Sequence, residues 1–131
     1  MTTNLCLAIL PNMKREPTPA DRYLQLQANV FKALGHPSRL KMVESLCEGE
    51  RCVCELQALV GSDMSTVSKH LAVLKEAGVV ADERRGTNIY YSLRMVCVSG
   101  FLRCVGNFLG QRLEEQIATL DQAKNRERQA G

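Results

Sequence analysis

Two cysteines, Cys52 and Cys54, are separated by a single valine in a chain of 131 residues that contains six cysteines. Thiolates bind soft metal ions, and two thiolates that converge can share one ion. Residues two apart in a regular helix point about 200° away from each other, so the pair needs an extended or first-turn backbone. We predict a helix beginning near Val53, and the N–H groups at a helix start favour the thiolate form. The spacing predicts a thiophilic-ion site, with two small buried hydrophobes as the alternative.

The other four cysteines lie in different contexts. Cys47 continues an apolar stripe of the second predicted helix, so we expect it to pack in the core. Cys97 and Cys104 share a face of the last predicted helix but lie about 10.5 Å apart along its axis, too far to hold one ion within a chain. We expect them to pack in a dimer, with a second thiol site as the alternative. For Cys6, near the N-terminus, packing and ion binding are nearly balanced.

The elements that must position these residues can be read from periodicity and helix-stop residues. Residues 1–19 are predicted to be a flexible N-terminal arm, residues 20–120 a single domain, and residues 121–131 a polar C-terminal tail that frays. The predicted helices are 20–34, a second from about 37 closed by Gly49, 53–60, a fourth capped by Ser62 or Asp63 and running to Ala77, and 95–120. Residues 79–93 alternate like a β-hairpin with its turn at 85–87. This is a mostly α chain with a small hairpin, in the order α-α-α-α-β-β-α.

Composition limits the possible classes of function. The net charge is +3, which is compatible with nucleic acid without requiring it. The apolar run 5–10 is too short to span a membrane and no basic segment precedes it, so we expect a cytoplasmic protein without a membrane partner. Thiols stay reduced there, which disfavours a disulfide framework. The chain shows no Gly-rich phosphate loop, no Cys-x-x-Cys and no usable Cys/His dyad, so we do not expect an enzyme.

The third and fourth predicted helices, joined by a turn at Gly61, have the form of a helix-turn-helix. At about 100° per residue, one face of the fourth helix is apolar and the other polar. The inward residues are Met64, Val67, Leu71 and Leu74, and the outward residues are Ser65, Thr66, Lys69 and Val73. Polar side chains on an outward face suit base edges and phosphates, and the hairpin that follows carries Arg84 and Arg85.

Four successive segments resemble the signatures of the ArsR/SmtB metal-sensing repressors. They are LGHPSRLKMV at 34–43, ERCVCEL at 50–56, STVSKHLAVLKEAGVV at 65–80 and RRGTNIYYSL at 84–93, and the match runs from about 31 to 93. The resemblance implies a winged helix-turn-helix and a homodimer built from the first and last helices. It also implies two recognition helices in successive major grooves of an inverted-repeat operator in double-stranded DNA. The positions it assigns to DNA contact are Ser65, Thr66, Ser68, Lys69, His70, Arg84 and Arg85.

The same resemblance bears on the inducing ion. Cys-Val-Cys marks relatives that respond to arsenic, antimony, cadmium or lead, so we expect a repressor released by As(III) or Sb(III), alternatively Cd(II) or Pb(II), with no permanently bound cofactor. The sequence departs from the arsenic pattern at Gln57, where a third cysteine would stand. Some cadmium or lead sensors supply an arm thiolate, which here implies Cys6, and some arsenic sensors use the last helix, which implies Cys97 and Cys104. That helix contains no histidine, which argues against zinc sensing through it.

Two other functions remain open at this point. A thiol-based redox or sulfide switch would use the same cysteines but form a disulfide or polysulfide. An architectural DNA-binding protein would need no chelating pair of cysteines.

Overall fold

In the computed structural model, which describes residues 15–131, the chain forms five helices and a three-stranded antiparallel sheet. The elements are α1 (Pro19–Leu34), α2 (Pro37–Cys47), β1 (Arg51–Cys52), α3 (Val53–Val60), α4 (Met64–Glu76), β2 (Val80–Arg85), β3 (Asn88–Leu93) and α5 (Val98–Ala130). The predicted mostly α architecture with a hairpin is confirmed. One element, the short strand β1, was not predicted.

Side-chain caps fix where the helices begin. Thr18 and Asp21 form a capping box at α1, in which the Asp21 backbone N–H donates to the Thr18 hydroxyl at 3.1 Å and the Asp21 carboxylate accepts from the Thr18 backbone at 2.8 Å. Asp63, and not Ser62, caps α4 by accepting from the Thr66 backbone N–H at 2.8 Å. Hydrogen bonds from the Thr66 backbone and hydroxyl hold the pKa of Asp63 below its usual range. α4 therefore begins with a charged cap that favours its N-terminal end.

The core lies between α2, α3, α4 and the start of β2. Its buried residues are Ala33, Leu34, Met42, Val43, Leu46, Leu56, Val67, Leu71, Leu74, Val79, Val80 and Val98. The prediction that Cys47 packs in this core is wrong, because Cys47 is exposed at the last position of α2. Met42, one turn before Leu46, occupies the buried stripe instead. Met64 is also 38% exposed, since it is the first residue of α4 and extends past the core.

The sheet has the strand order β1-β3-β2. β2 and β3 pair from Val80 opposite Leu93 to Arg85 opposite Asn88, and Gly86 at φ 62° permits the tight turn between them. β1 adds to the other side of β3, with Cys52 opposite Tyr90. The hairpin is thereby fixed to the segment that leads directly into α3.

The last helix differs from its prediction at both ends. It begins at Val98 and not near Met95, and it continues to Ala130, ten residues past the end of the apolar stripe at Leu120. The polar segment 121–130 is helical because it is rich in Ala, Lys, Arg, Gln and Glu and contains neither Gly nor Pro. α5 meets α1 where Phe31 and Phe101 make an edge-to-face contact with ring centroids 5.7 Å apart. Within residues 15–131, no helix has both the length and the apolar character that crossing a membrane requires.

Candidate nucleic-acid interface and cysteine site

The outward face of α4 carries most of the polar residues predicted for it. Val67, Leu71 and Leu74 are buried, which confirms the predicted inward face at these positions. Ser65, Ser68 and Lys69 are exposed. Thr66 is half-buried, because its hydroxyl and its backbone N–H are both bonded to the Asp63 cap. The face can therefore offer hydroxyl groups and one ammonium group to a ligand outside the protein.

His70 does not share that exposed face. Its ring is half-buried and lies against Arg39 and His36, with Nη1 of Arg39 3.3 Å from Nδ1 of His70. The two imidazole centroids are 4.4 Å apart. Burial, followed by the nearby His36 and Arg39, lowers the pKa of His70. The structure thus separates His70 from the other residues of α4 that the family resemblance assigns to DNA contact.

The two arginines of the hairpin have different surroundings. Arg85 forms a two-pronged ion pair with Glu50, at 2.5 and 2.9 Å, and a further ion pair with Glu83 at 2.8 Å. Its guanidinium carbon also lies 4.7 Å from the centre of the Tyr90 ring. Arg84 is exposed and makes no ion pair within the described part of the chain. Arg84 is therefore available to a phosphate, whereas Arg85 already has its charge matched by two carboxylates.

Two ion pairs that the sequence analysis missed connect the reading elements. Glu50, just before β1, holds Arg85 across 35 positions of sequence. Lys75, near the end of α4, pairs with Asp82 of β2 at 2.8 Å. The hydrogen bond and charge of Asp82 raise the pKa of Lys75. These contacts fix the hairpin relative to both α3 and α4.

Cys52 and Cys54 lie at the junction of β1 and α3. Cys52 is the N-cap residue of α3 with an extended backbone, φ −77° and ψ 157°, and Cys54 is exposed in the first turn. The pair therefore has the extended and first-turn backbone that convergence requires. The Glu55 carboxylate accepts from the Cys52 backbone N–H at 3.1 Å, so it shields one side of the junction. Among residues 15–131, no three or more His, Cys, Asp or Glu side chains come together in a way that could hold a metal ion.

The remaining cysteines are distributed over α2 and α5. All five cysteines of the described chain are free thiols. Cys97, at the N-cap of α5, and Cys104 are both exposed. Burial and the carboxylates of Glu44 and Glu48 raise the pKa of Cys47, which favours its thiol over the thiolate that binds ions. Cys6 lies outside the residues that the structure describes.

Comparison with known sequences identifies the family. Residues 36–82 match the family model for bacterial regulatory proteins of the arsR family. The chain is 37% identical over 98 residues to an HTH-type transcriptional regulator of Mycobacterium tuberculosis, covering 74% of this chain and 86% of that protein. It is 43% identical over 65 residues to an arsenic resistance transcriptional regulator of Pseudomonas putida, covering 49% of this chain and 51% of that one.

Comparison with solved structures gives the same result. A crystal structure of a protein from M. tuberculosis has a TM-score of 0.66 at 35% identity, covering 76% of this chain and 98% of that one. The solution structure of a homodimeric winged helix-turn-helix DNA-binding domain from Mycobacterium bovis has a TM-score of 0.67 at 30% identity, covering 79% and 95%. These relatives are regulators and not enzymes, which confirms the expectation that the chain is not a catalyst. The chain belongs to the ArsR family and is a winged helix-turn-helix, DNA-binding transcriptional regulator.

Proposed function

We propose that this regulator is a homodimeric repressor that leaves its operator when a thiophilic ion, arsenite or antimonite first and cadmium or lead as alternatives, binds Cys52 and Cys54. The observation that carries the proposal is the double role of Cys52. It caps α3 of the helix-turn-helix and, in β1, pairs with Tyr90 of the hairpin. An ion drawn to this residue acts on both DNA-reading elements at once.

The dimer is inferred from apolar surface on the terminal helices. In α1, Tyr23, Leu24, Leu26 and Phe31 are each at least 59% exposed. In α5 the exposed set is Phe101, Val105, Phe108, Leu109, Leu113, Ile117 and Leu120. Such long apolar stripes are unusual on a monomer and typical of an interface. The M. bovis structural relative is a homodimer, which supports a second copy of this chain as the occupant.

DNA contact is assigned to the exposed part of α4 and to the hairpin. Ser65, Ser68 and Lys69 face outward, and Thr66 lies beside them at the N-terminal end of the helix. Recognition helices enter the major groove by this end, while a hairpin arginine such as Arg84 reaches the backbone or the minor groove. A two-fold dimer presents two such surfaces, so we expect an operator with an inverted repeat.

The two thiols of the junction suit a soft ion but do not complete its coordination. Trivalent arsenic and antimony, like lead, bind three sulfurs well, and the first turn of α3 offers two. Cys6, which lies outside the described residues, is the proposed third ligand. Cys97 and Cys104 form the alternative site on α5, where both are exposed.

Release follows from reciprocal coupling between the two ligands. An ion that binds the DNA-free form more tightly must weaken DNA binding by the same factor, typically about 5- to 150-fold, or about 1–3 kcal/mol. Drawing Cys52 toward Cys54 changes the cap of α3 and the β1–β3 pairing that holds the hairpin. Both changes move elements that must fit the DNA together.

The deciding experiment is an operator-binding titration under reducing conditions with arsenite, antimonite, cadmium, lead and zinc in turn. Cys52→Ser and Cys54→Ser are each expected to retain DNA binding and lose the response. Cys47→Ser is the matched control, because Cys47 is exposed nearby but its raised pKa disfavours the thiolate. Cys6→Ser should weaken the response if the N-terminal segment supplies the third sulfur, whereas loss in Cys97→Ser or Cys104→Ser would move the site to α5. A Cys52→Ser/Cys54→Ser double variant that still leaves DNA at the wild-type ion concentration would exclude this mechanism.

A thiol switch is the second candidate. It is favoured by the exposure of Cys54, Cys97 and Cys104, all of them free thiols open to oxidants. Intact mass spectrometry after treatment with oxidant, polysulfide or metal distinguishes the two functions. Release accompanied by a loss of two hydrogens or a gain of sulfur supports the switch, and release with an added ion supports metal sensing.

A further inference from the structure

We propose that His70 is a positioning residue that, in its uncharged form, holds α4 against α1 and α2, and that it does not contact DNA. The inference rests on the operator binding proposed above, because it concerns how the reading helix is held for that role. It replaces the role in DNA contact that the family resemblance implies for this residue.

The contacts of His70 leave little of its ring for an external ligand. Its Nδ1 lies 3.3 Å from Nη1 of Arg39, and its ring stacks at a 43° tilt on His36 with centroids 4.4 Å apart. The neighbouring Ser68 and Lys69 are exposed, whereas His70 is half-buried. On the helical wheel, His70 therefore lies at the edge of the buried face and not on the outward one.

Arg39 connects this contact to the end of α1. Its Nη2 donates to the backbone carbonyl of Lys32 at 3.1 Å, and its Nε donates to that of Ala33. Both carbonyls belong to the last turn of α1, where a helix leaves carbonyls without partners of its own. One guanidinium thus joins the end of α1 to the middle of α4.

The hydrogen bonds define the protonation state that this arrangement needs. A guanidinium can only donate, so Nδ1 of His70 must accept and cannot carry a proton. His36 is constrained in the same way, because its Nδ1 accepts from the Ser38 backbone N–H at 3.1 Å as the N-cap of α2. A second proton on either ring would remove an acceptor that the structure uses.

Charge around the cluster acts in the same direction. A protonated His70 would face Arg39 and His36 from the α2 side, and no carboxylate in residues 15–131 forms an ion pair with it. Lys32 of α1 and Glu76 of α4 line the cleft beside Arg39, and Lys69 of α4 points to solvent. Because packing lowers the pKa of His70, the packed arrangement is favoured above the ordinary imidazole pKa. It loses stability as the pH falls from that value through the lower pKa of the packed state.

The consequence for DNA follows from the geometry of a dimer. Two recognition helices must lie about 34 Å apart to enter successive major grooves. The link through Arg39 sets the position of α4 relative to α1, and hence relative to the partner copy. Protonation should therefore weaken operator binding. A histidine that contacts phosphate would show the opposite sign, because its added charge strengthens binding in acid.

The test compares wild type with His70→Gln on a duplex that the wild-type protein selects from a random library. The glutamine carbonyl can accept from Arg39 but does not titrate. Operator affinity is measured at about pH 8 and about pH 5.5, either side of the ordinary imidazole pKa, at fixed salt. The ratio of the two affinities cancels general effects of pH on charge, and Ser68→Ala is the exposed control on the same helix.

We expect the ratio of wild-type to His70→Gln affinity to fall in acid, by up to about tenfold for each unit that separates the packed and open pKa values. The ratio to Ser68→Ala should stay constant. A His70→Gln ratio that stays constant or rises in acid overturns the proposal.

An NMR titration of the wild-type imidazoles, with and without the duplex, tests the proposal even if His70→Gln fails to fold. The proposal requires a depressed pKa for His70 in the free protein and no increase on DNA binding, and a pKa that rises on binding overturns it. Absence of operator binding by the wild type at pH 8 would instead refute the proposed function, while the free-protein titration would still test the packing of His70.

Discussion

The reading head, residues 37–93, and the terminal helices α1 and α5 use their apolar residues in opposite ways. In the reading head, large aliphatic side chains such as Leu56, Leu71 and Leu74 are completely buried within one chain. In the terminal helices, side chains of the same kind, such as Leu26, Leu113 and Leu120, are more than half exposed. The reading head therefore completes its own core, whereas the terminal helices present a surface that only another molecule can cover.

The difference also divides the work of the protein. Caps and ion pairs in the reading head fix the relative positions of the parts that meet DNA, including Asp63 at the start of α4 and Lys75 with Asp82 at its end. The terminal helices set the distance between two such heads. Arg39 is the described contact that joins α1 to α4 by side-chain hydrogen bonds, so it lies between the two regions.

The largest expected effect comes from removing the same side chain in each region. Leu71→Ala should lower the free energy of unfolding by about 2–5 kcal/mol at every protein concentration, because the side chain is 0% exposed within one chain. Leu113→Ala, at a side chain 58% exposed, should act only through dimer formation. Urea unfolding followed by circular dichroism over a hundredfold range of concentration separates the two. Equal and concentration-independent losses would show that the two regions do not differ as described.

The next effect concerns the dimer alone. Leu109→Glu places a charge in the exposed stripe of α5 and should raise the dimer dissociation constant by tenfold or more, equivalent to at least about 1.4 kcal/mol. Analytical ultracentrifugation measures it, with Arg103→Glu on an exposed polar position of α5 as the control. If wild-type protein is monomeric at micromolar concentration, the proposed dimer is wrong.

A smaller effect tests the charges of the reading head. Lys69→Ala and Arg84→Ala should each reduce the dependence of log affinity on log salt by about one unit, the loss of one phosphate contact. Arg85→Ala should leave that slope unchanged, because Glu50 and Glu83 already hold its guanidinium. Affinity measured between low and moderate salt for the three variants decides it. A slope that changes in Arg85→Ala, but not in Arg84→Ala, would reverse the roles of the two arginines.

Helical periodicity and stop residues predicted much of this fold. Val67, Leu71 and Leu74 repeat at helical spacing between an acidic cap and Gly78, so local sequence determines both the limits and the buried face of α4. Four linked motifs predicted the family. The cysteine pair was also recognisable, since its spacing requires the backbone that the N-cap position of Cys52 provides.

The remaining features depend on contacts between distant parts of the chain. β1 has two residues, too few to show alternation, and forms because β3 offers a free edge. The pairing of Arg85 with Glu50 depends on that strand, so the sequence analysis treated Arg84 and Arg85 alike. His70 follows Lys69 in a polar run, and its inward orientation is decided by Arg39 on another helix. Cys47 continued an apolar pattern, but it lies at the helix end, beyond the core that would have covered it.

The smallest expected effect concerns the C-terminal turns of α5, which are helical like the rest of the helix but lack its apolar stripe. Residues 121–130 are all exposed, and the last large apolar side chain of α5 is Leu120. Deleting residues 122–131 should remove about nine residues of helix from the far-ultraviolet signal, as the helix extends to Ala130. Exposed surface residues away from caps and cores contribute little, so the dimer dissociation constant and operator affinity should change by no more than about twofold, or about 0.5 kcal/mol. A tenfold weaker dimer would extend the interface past Leu120. Because the deleted segment carries Lys124, Arg126 and Arg128 against a single Glu127, a reduced salt dependence with the dimer intact would instead reveal a contact with DNA.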